Sequence, residues 1–88
     1  MTDSPIYQAI VTKFLGPTNF RGSRIKVKAY AGSKTYSWDY ALNVEQNHSR
    51  AAQSFANHMG WLGEGWTLRG GSMPDGTGNC YVLVKIST

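Results

Sequence analysis

The chain lacks most of what covalent chemistry, metal binding or a membrane would require. Its only cysteine, Cys80, rules out an internal disulfide, so packing has to supply the stability. No apolar run reaches the roughly 18 residues of a membrane helix. The opening Met1-Thr2-Asp3-Ser4-Pro5 has neither the basic nor the apolar part of a secretion signal. An intracellular, cytoplasmic protein is therefore expected. Acids are scarce, five against nine bases, and Asp3, Asp39, Glu45, Glu64 and Asp75 are scattered, which leaves no carboxylate pair for glycoside chemistry. The two histidines, His48 and His58, stand ten residues apart. On one helix that is about 15 Å and off the same face, so no shared metal is expected. Residues 16–23 hold two glycines without the Gly-Lys-Ser/Thr ending of a phosphate loop. Asn47-His48-Ser49 matches a glycosylation sequon by chance. No local motif joins Cys80 to a histidine, and a cysteine inside a strand pattern reads as packing. A non-enzymatic protein without cofactor or metal is expected.

What is present is an apolar, aromatic chain with lopsided charge. The hydrophobic fraction of 41% excludes disorder, and 88 residues make one domain, residues 1–88. Of the net charge of +4, the excess lies entirely early. Lys13, Arg21, Arg24, Lys26, Lys28 and Lys34 precede Trp38, with no acid between Ser4 and Trp38.

Residues 6–15 (IYQAIVTKFL) read as a strand that ends at the turn chemistry of residues 16–22. Residues 23–31 (SRIKVKAYA) alternate with period two: Arg24, Lys26, Lys28 and Tyr30 on one side, Ile25, Val27, Ala29 and Ala31 on the other. A reversal at Gly32-Ser33 leads into a third strand, residues 34–40, with Tyr36, Trp38 and Tyr40 in alternation. Asn43 and Gln46 stand at the two positions of a capping box. Val44, His48, Ala51, Ala52, Phe55, Ala56 and Met59 then form one helical stripe, closed by Gly60 with Trp61 folding back. Residues 66–69 are a short strand broken at Gly70-Gly71. Asp75-Gly76 predicts a type I′ hairpin into a last strand over residues 79–86. The fold class is α+β: two layers, a single antiparallel five-stranded sheet in the order βββαββ, with one helix packed on one face. If the last strand pairs with the first, the sheet order is 3-2-1-5-4.

The basic face is the strongest functional signal. Arg24, Lys26 and Lys28 project from one side of the second strand about 6.6–7 Å apart, a spacing suited to the phosphates of a nucleic-acid strand. Lys13 and Lys34 are expected to join from the neighbouring strands and Arg21 from the loop. Phe20 beside Arg21, and Tyr30 on the basic side, supply aromatic contacts. The same surface suits an acidic protein. An open sheet edge offers a second copy a place to pair as a homodimer.

The stretch YQAIVTKFLGPTNFRGSRIKVKA, with the later GWL and the terminal PDGTGNCYVLV, resembles a set of short bacterial proteins of chromosomes, phages and plasmids. The resemblance covers most of the chain and implies no activity. It implies only that Gly16, Pro17, Asn19, Arg21, Gly22, Ser23 and Arg24 form the recognisable signature. In size and lack of catalytic groups the chain is also similar to phage-encoded inhibitors of host defence, anti-CRISPR proteins among them, without a shared motif. Two functions follow as expectations. One is a small protein that binds nucleic acid through its basic loop and strand. The other is a mobile-element inhibitor that binds a protein or nucleoprotein surface of a host defence complex.

Overall fold

The computed structural model describes residues 9–86. Its elements are β1 (Ala9–Leu15), β2 (Arg24–Ala29), β3 (Gly32–Ser37), α1 (Val44–His58), β4 (Trp66–Ser72) and β5 (Gly78–Lys85). They form one five-stranded sheet in the order β3-β2-β1-β5-β4, and every neighbouring pair is antiparallel. This is the α+β arrangement read from the sequence, including the β1–β5 pairing at its centre. Residues 6–8 of the expected first strand lie outside the described residues.

The helix begins and ends as its sequence dictates. Asn43 Oδ1 accepts from Gln46 N at 2.8 Å, and Gln46 Oε1 accepts from Asn43 N at 3.0 Å, which completes the capping box. At the other end Gly60 has φ 75°. Trp61 N donates to Ala56 O at 2.9 Å and Gly60 N to Asn57 O at 3.0 Å, the two bonds of a Schellman motif. The Trp61 ring meets Phe55 edge-on at 5.7 Å between centroids. The buried stripe is Asn47, His48, Ala51, Ala52, Phe55 and Ala56. Its three alanines let the helix lie close over Ile10 of β1 and Ile25 and Val27 of β2. Val44, expected on that stripe, is 58% exposed, because the first turn overhangs the end of the sheet.

Two turns differ from expectation. The β2–β3 reversal is at Tyr30-Ala31, with Ala29 facing Gly32 across the ladder. The third strand therefore starts earlier and stops at Ser37, leaving Tyr40 outside the sheet and exposed. The β4–β5 turn is closed by Gly76 N donating to Met73 O at 2.9 Å. Pro74 and Asp75 are thus central, and neither has a positive φ. That excludes type I′ and fits type I, where proline favours the first central place.

β4 also runs straight through Gly70-Gly71. Gly70 sits opposite Tyr81 in the ladder, and a Cβ there would collide with the Tyr81 ring and the Cys80 carbonyl. The glycine admits an aromatic ring from the neighbouring strand and breaks nothing. Gly78 is tighter, since a Cβ would fall on the Thr12 carbonyl.

Gly78→Ala should therefore destabilise by about 1–3 kcal/mol through overpacking, roughly 5–20 °C in melting temperature for a domain of this size. Gly71→Ala, where an added methyl meets nothing within 4 Å, should stay within about 0.5 kcal/mol. Thermal melts of the two variants side by side check this.

Candidate functional site

The helix covers one side of the sheet, and none of the described residues covers the other. The registers define that open side. Lys13 stands directly opposite Lys26, Val11 opposite Lys28, and Leu15 opposite Arg24. Across the other edge of β1, Val11 faces Cys80 and Ala9 faces Val82. Arg69 of β4 stands opposite Val82. The open face thus has an aliphatic seam along β1 and β5 with cations beside it. Lys13, Lys26, Lys28 and Tyr30 ring a shallow hollow of about 530 Å³ floored by Val11 and Leu15.

Of the expected site residues, Lys13, Arg24, Lys26 and Lys28 share this face. Tyr30 is fully exposed in the turn at its rim. Lys34 does not join them. It faces Val27 across the ladder, on the helix side, with its ammonium 5.7 Å from the centre of the Tyr36 ring. The reason is parity: the Tyr30-Ala31 turn puts the even-numbered residues of β3 on the side of Tyr36, which packs on the core. Opposite-facing side chains on one strand cannot serve one surface.

The β1–β2 loop is ordered by Thr18. Its Oγ1 accepts from Phe20 N at 3.2 Å and Arg21 N at 3.0 Å, and its own N donates to Arg21 O at 2.7 Å. That local bonding turns Phe20 outward, where it is 94% exposed. Arg21 and Arg24 line a second hollow, of about 450 Å³, together with Tyr36, Trp38 and Tyr40.

All four described carboxylates lie away from the open face, in loops or on the helix. Asp39 is spent locally, accepting from Ala41 N at 2.9 Å. Asp75 accepts from Thr77 N and Thr77 Oγ1, and those bonds hold its carboxyl below the usual range. Among the described residues no group of three His, Cys, Asp or Glu is placed to share a metal. No described helix is long and apolar enough to cross a membrane. Cys80 and His48 lie on opposite sides of the sheet, so they form no catalytic pair.

Three polar residues escaped the sequence reading. Asn47, 2% exposed, fastens the β3–α1 connection. Its Oδ1 accepts from Asp39 N at 2.9 Å, and its Nδ2 donates to Asp39 O, Leu42 O and Asn43 O. Thr12 and Asn79 are buried under the helix. Thr12 Oγ1 and His48 Nδ1 share a hydrogen bond of 2.6 Å. Asn79 Nδ2 donates to Tyr81 Oη at 2.9 Å and to Glu45 Oε2 at 3.4 Å. Period two could have flagged Thr12 and Asn79, since each shares a strand face with core residues. Asn47 carries no such signal.

No protein-family model, curated protein or solved structure matches the chain.

Burial pushes His48 below the ordinary histidine value of 6.5, and the Glu45 carboxylate pulls the other way. Above that value the imidazole is neutral in both folded and unfolded chains. Below it the unfolded chain takes up a proton that the fold resists, so stability is full at neutral pH and falls on acidification. Melting temperature should drop between pH 7.5 and 5, and His48→Gln should flatten the slope while lowering stability at pH 7.5.

Proposed function

We propose that the open face and the β1–β2 loop bind a polyanion, most simply nucleic acid, in the cytoplasm and without catalysis. The observation that carries this reading is Lys13 directly opposite Lys26, with Arg24 and Lys28 on the same face and no carboxylate among them. Like charges directly opposite on a sheet are destabilising. A run of phosphates would relieve that repulsion and release its own counterions on binding. Lys13, Arg24, Lys26 and Lys28 would pair phosphates, with Arg21 added from the loop. Phe20 and Tyr30, both exposed, would stack on bases at the margins.

A second reading rests on the aliphatic seam. Val11, Leu15, Val82 and Val84 on the open side give an apolar centre with a basic rim. That suits an acidic protein or nucleoprotein surface, as an inhibitor of a host defence complex would need. The edges of the sheet are β3 and β4, and pairing there with a second copy would extend the basic face.

Fluorescence anisotropy with short single- and double-stranded DNA and RNA at two salt concentrations tests the first reading. Five phosphate contacts on a single strand give a log–log salt slope of about −3.5. Lys26→Glu with Lys28→Glu should abolish binding and leave the thermal melt nearly unchanged. Unaltered affinity in that variant, or no binding at low salt, would overturn the reading. A stable complex with a protein partner and no nucleic-acid affinity would favour the second.

A further inference from the structure

One end of the sheet gathers features that the open face does not use. The overhanging first turn of α1, the tip of β1 and the β4–β5 turn enclose a cleft of about 370 Å³. One wall is Phe14 and Trp38, whose rings meet edge-on at 4.9 Å. Gly76, Thr77 and Gly78 also line it, and their small size leaves room beside the aromatic pair. Polar groups of Glu45, His48 and Asn79 converge on it. His48 is 3% exposed, and the bond to Thr12 occupies only Nδ1. No buried side-chain nitrogen or oxygen among the described residues lacks a partner. His48 is itself among the residues that line the cleft.

Trp38 also lines the neighbouring hollow of Arg21 and Arg24. The two cavities are held in fixed relation. Trp38 N donates to Ser23 O at 3.1 Å, which ties the tryptophan to the end of the arginine-bearing loop. Asn47 clamps the next residue, Asp39, by both its backbone N–H and its carbonyl. A cleft with an aromatic pair and hydrogen-bonding groups thus shares Trp38 with a hollow that two arginines line.

We infer that this end of the sheet is a nucleotide-binding site, with a base in the Trp38 cleft and its phosphate on Arg21 and Arg24. The inference rests on the nucleic-acid reading above and deepens it: the open face would track the backbone, and this site would take one unstacked nucleotide. An apolar slot with a few convergent polar groups is how small planar ligands are held, and single-stranded recognition works by splaying a base onto an aromatic ring. The polar groups select among the bases. A carboxylate only accepts hydrogen bonds; Glu45 Oε2 receives Asn79 at 3.4 Å, and among the described residues Oε1 has no hydrogen-bond partner. Guanine presents two adjacent N–H donors, N1–H and the 2-amino group, that match a carboxylate edge. Adenine has no such pair. The site therefore prefers guanine.

Titration of the ¹⁵N-labelled full chain with guanosine monophosphate, adenosine monophosphate and inorganic phosphate tests this, with the Trp38 indole N–H as the reporter. Guanosine monophosphate should shift that resonance and bind more tightly than either of the others. Glu45→Gln should weaken it about tenfold, the loss of a hydrogen bond to a charged group. The same substitution should leave phosphate unaffected. Arg21→Gln should weaken all three probes, and Lys26→Glu with Lys28→Glu should weaken none. Glu45 and Arg21 are exposed, so these variants keep the fold where Trp38→Ala would put it at risk. Phosphate binding as tightly as guanosine monophosphate would reduce the site to an anion hollow and overturn the inference. So would equal loss of both nucleotides in Glu45→Gln. No shift at millimolar nucleotide, with oligonucleotide binding intact, would remove this site and leave the open face standing. Mononucleotide binding without oligonucleotide binding would do the reverse.

Discussion

A single helix of 15 residues, about 22 Å long at 1.5 Å per residue, can cover only one side of a five-stranded sheet. Everything else in this protein follows from that shortage of cover. The covered side takes Ile10, Ile25, Val27 and the Phe55 ring into the core. The other side has to be tolerable in water, or to be covered by something else. Its answer is mixed: lysines and an arginine on β2, a lysine on β1, and valines toward β5. A face that existed only to stay soluble would gain from carboxylates interleaved with those bases, because paired opposite charges remove the cross-strand repulsion. Single-sign charge is the more costly choice, and it fits a face that meets an anionic partner.

The same charge pattern limits what the partner can be. Two copies stacked open face to open face would bring eight basic side chains, counting Lys13, Arg24, Lys26 and Lys28 twice, into one interface. Burying like charges without partners is strongly unfavourable. Association of copies through β3 or β4 edges avoids that and leaves the faces side by side. The aromatic supply limits the partner as well. Tyr36 and Trp38 pack against the core side, so the middle of the open face offers no stacking platform. Stacking is restricted to its margins, where Tyr30 and Phe20 stand.

Much of the fold was legible because its signals are local. Period two in β2, the Asn43–Gln46 capping box and the Gly60 terminus each depend on residues within a few positions of one another. The errors arose where a distant residue decides. Gly70 reads as a break until Tyr81, eleven positions on, is placed opposite it. Lys34 reads as part of the basic face until the position of the β2–β3 turn fixes the parity of β3. Thr12 and His48 are 36 positions apart, and only the packed helix brings them together. The basic face was legible because one strand carries three of its cations. The cleft at the sheet end was not, since β1, the β3–α1 connection, α1 and the β4–β5 turn each contribute a part of it.

That division has a physical sense. A strand's alternation can write a surface into contiguous sequence, but a concave site needs walls from several elements, and those elements must be locked against each other. Here the lock is polar and buried. Asn47 saturates the backbone of the β3–α1 connection, and Thr12 with His48 joins sheet to helix. Buried polar groups are costly when unsatisfied and rigid when satisfied. None of the described buried side-chain polar atoms is left without a partner. An all-apolar contact between helix and sheet would hold the layers together and still let them slide, because dispersion has little direction. The hydrogen bonds fix the helix start relative to β1 and Trp38 to within a bond's tolerance. The polar residues spent inside this small core therefore set the geometry of the cleft at this end of the sheet, as well as adding to its stability.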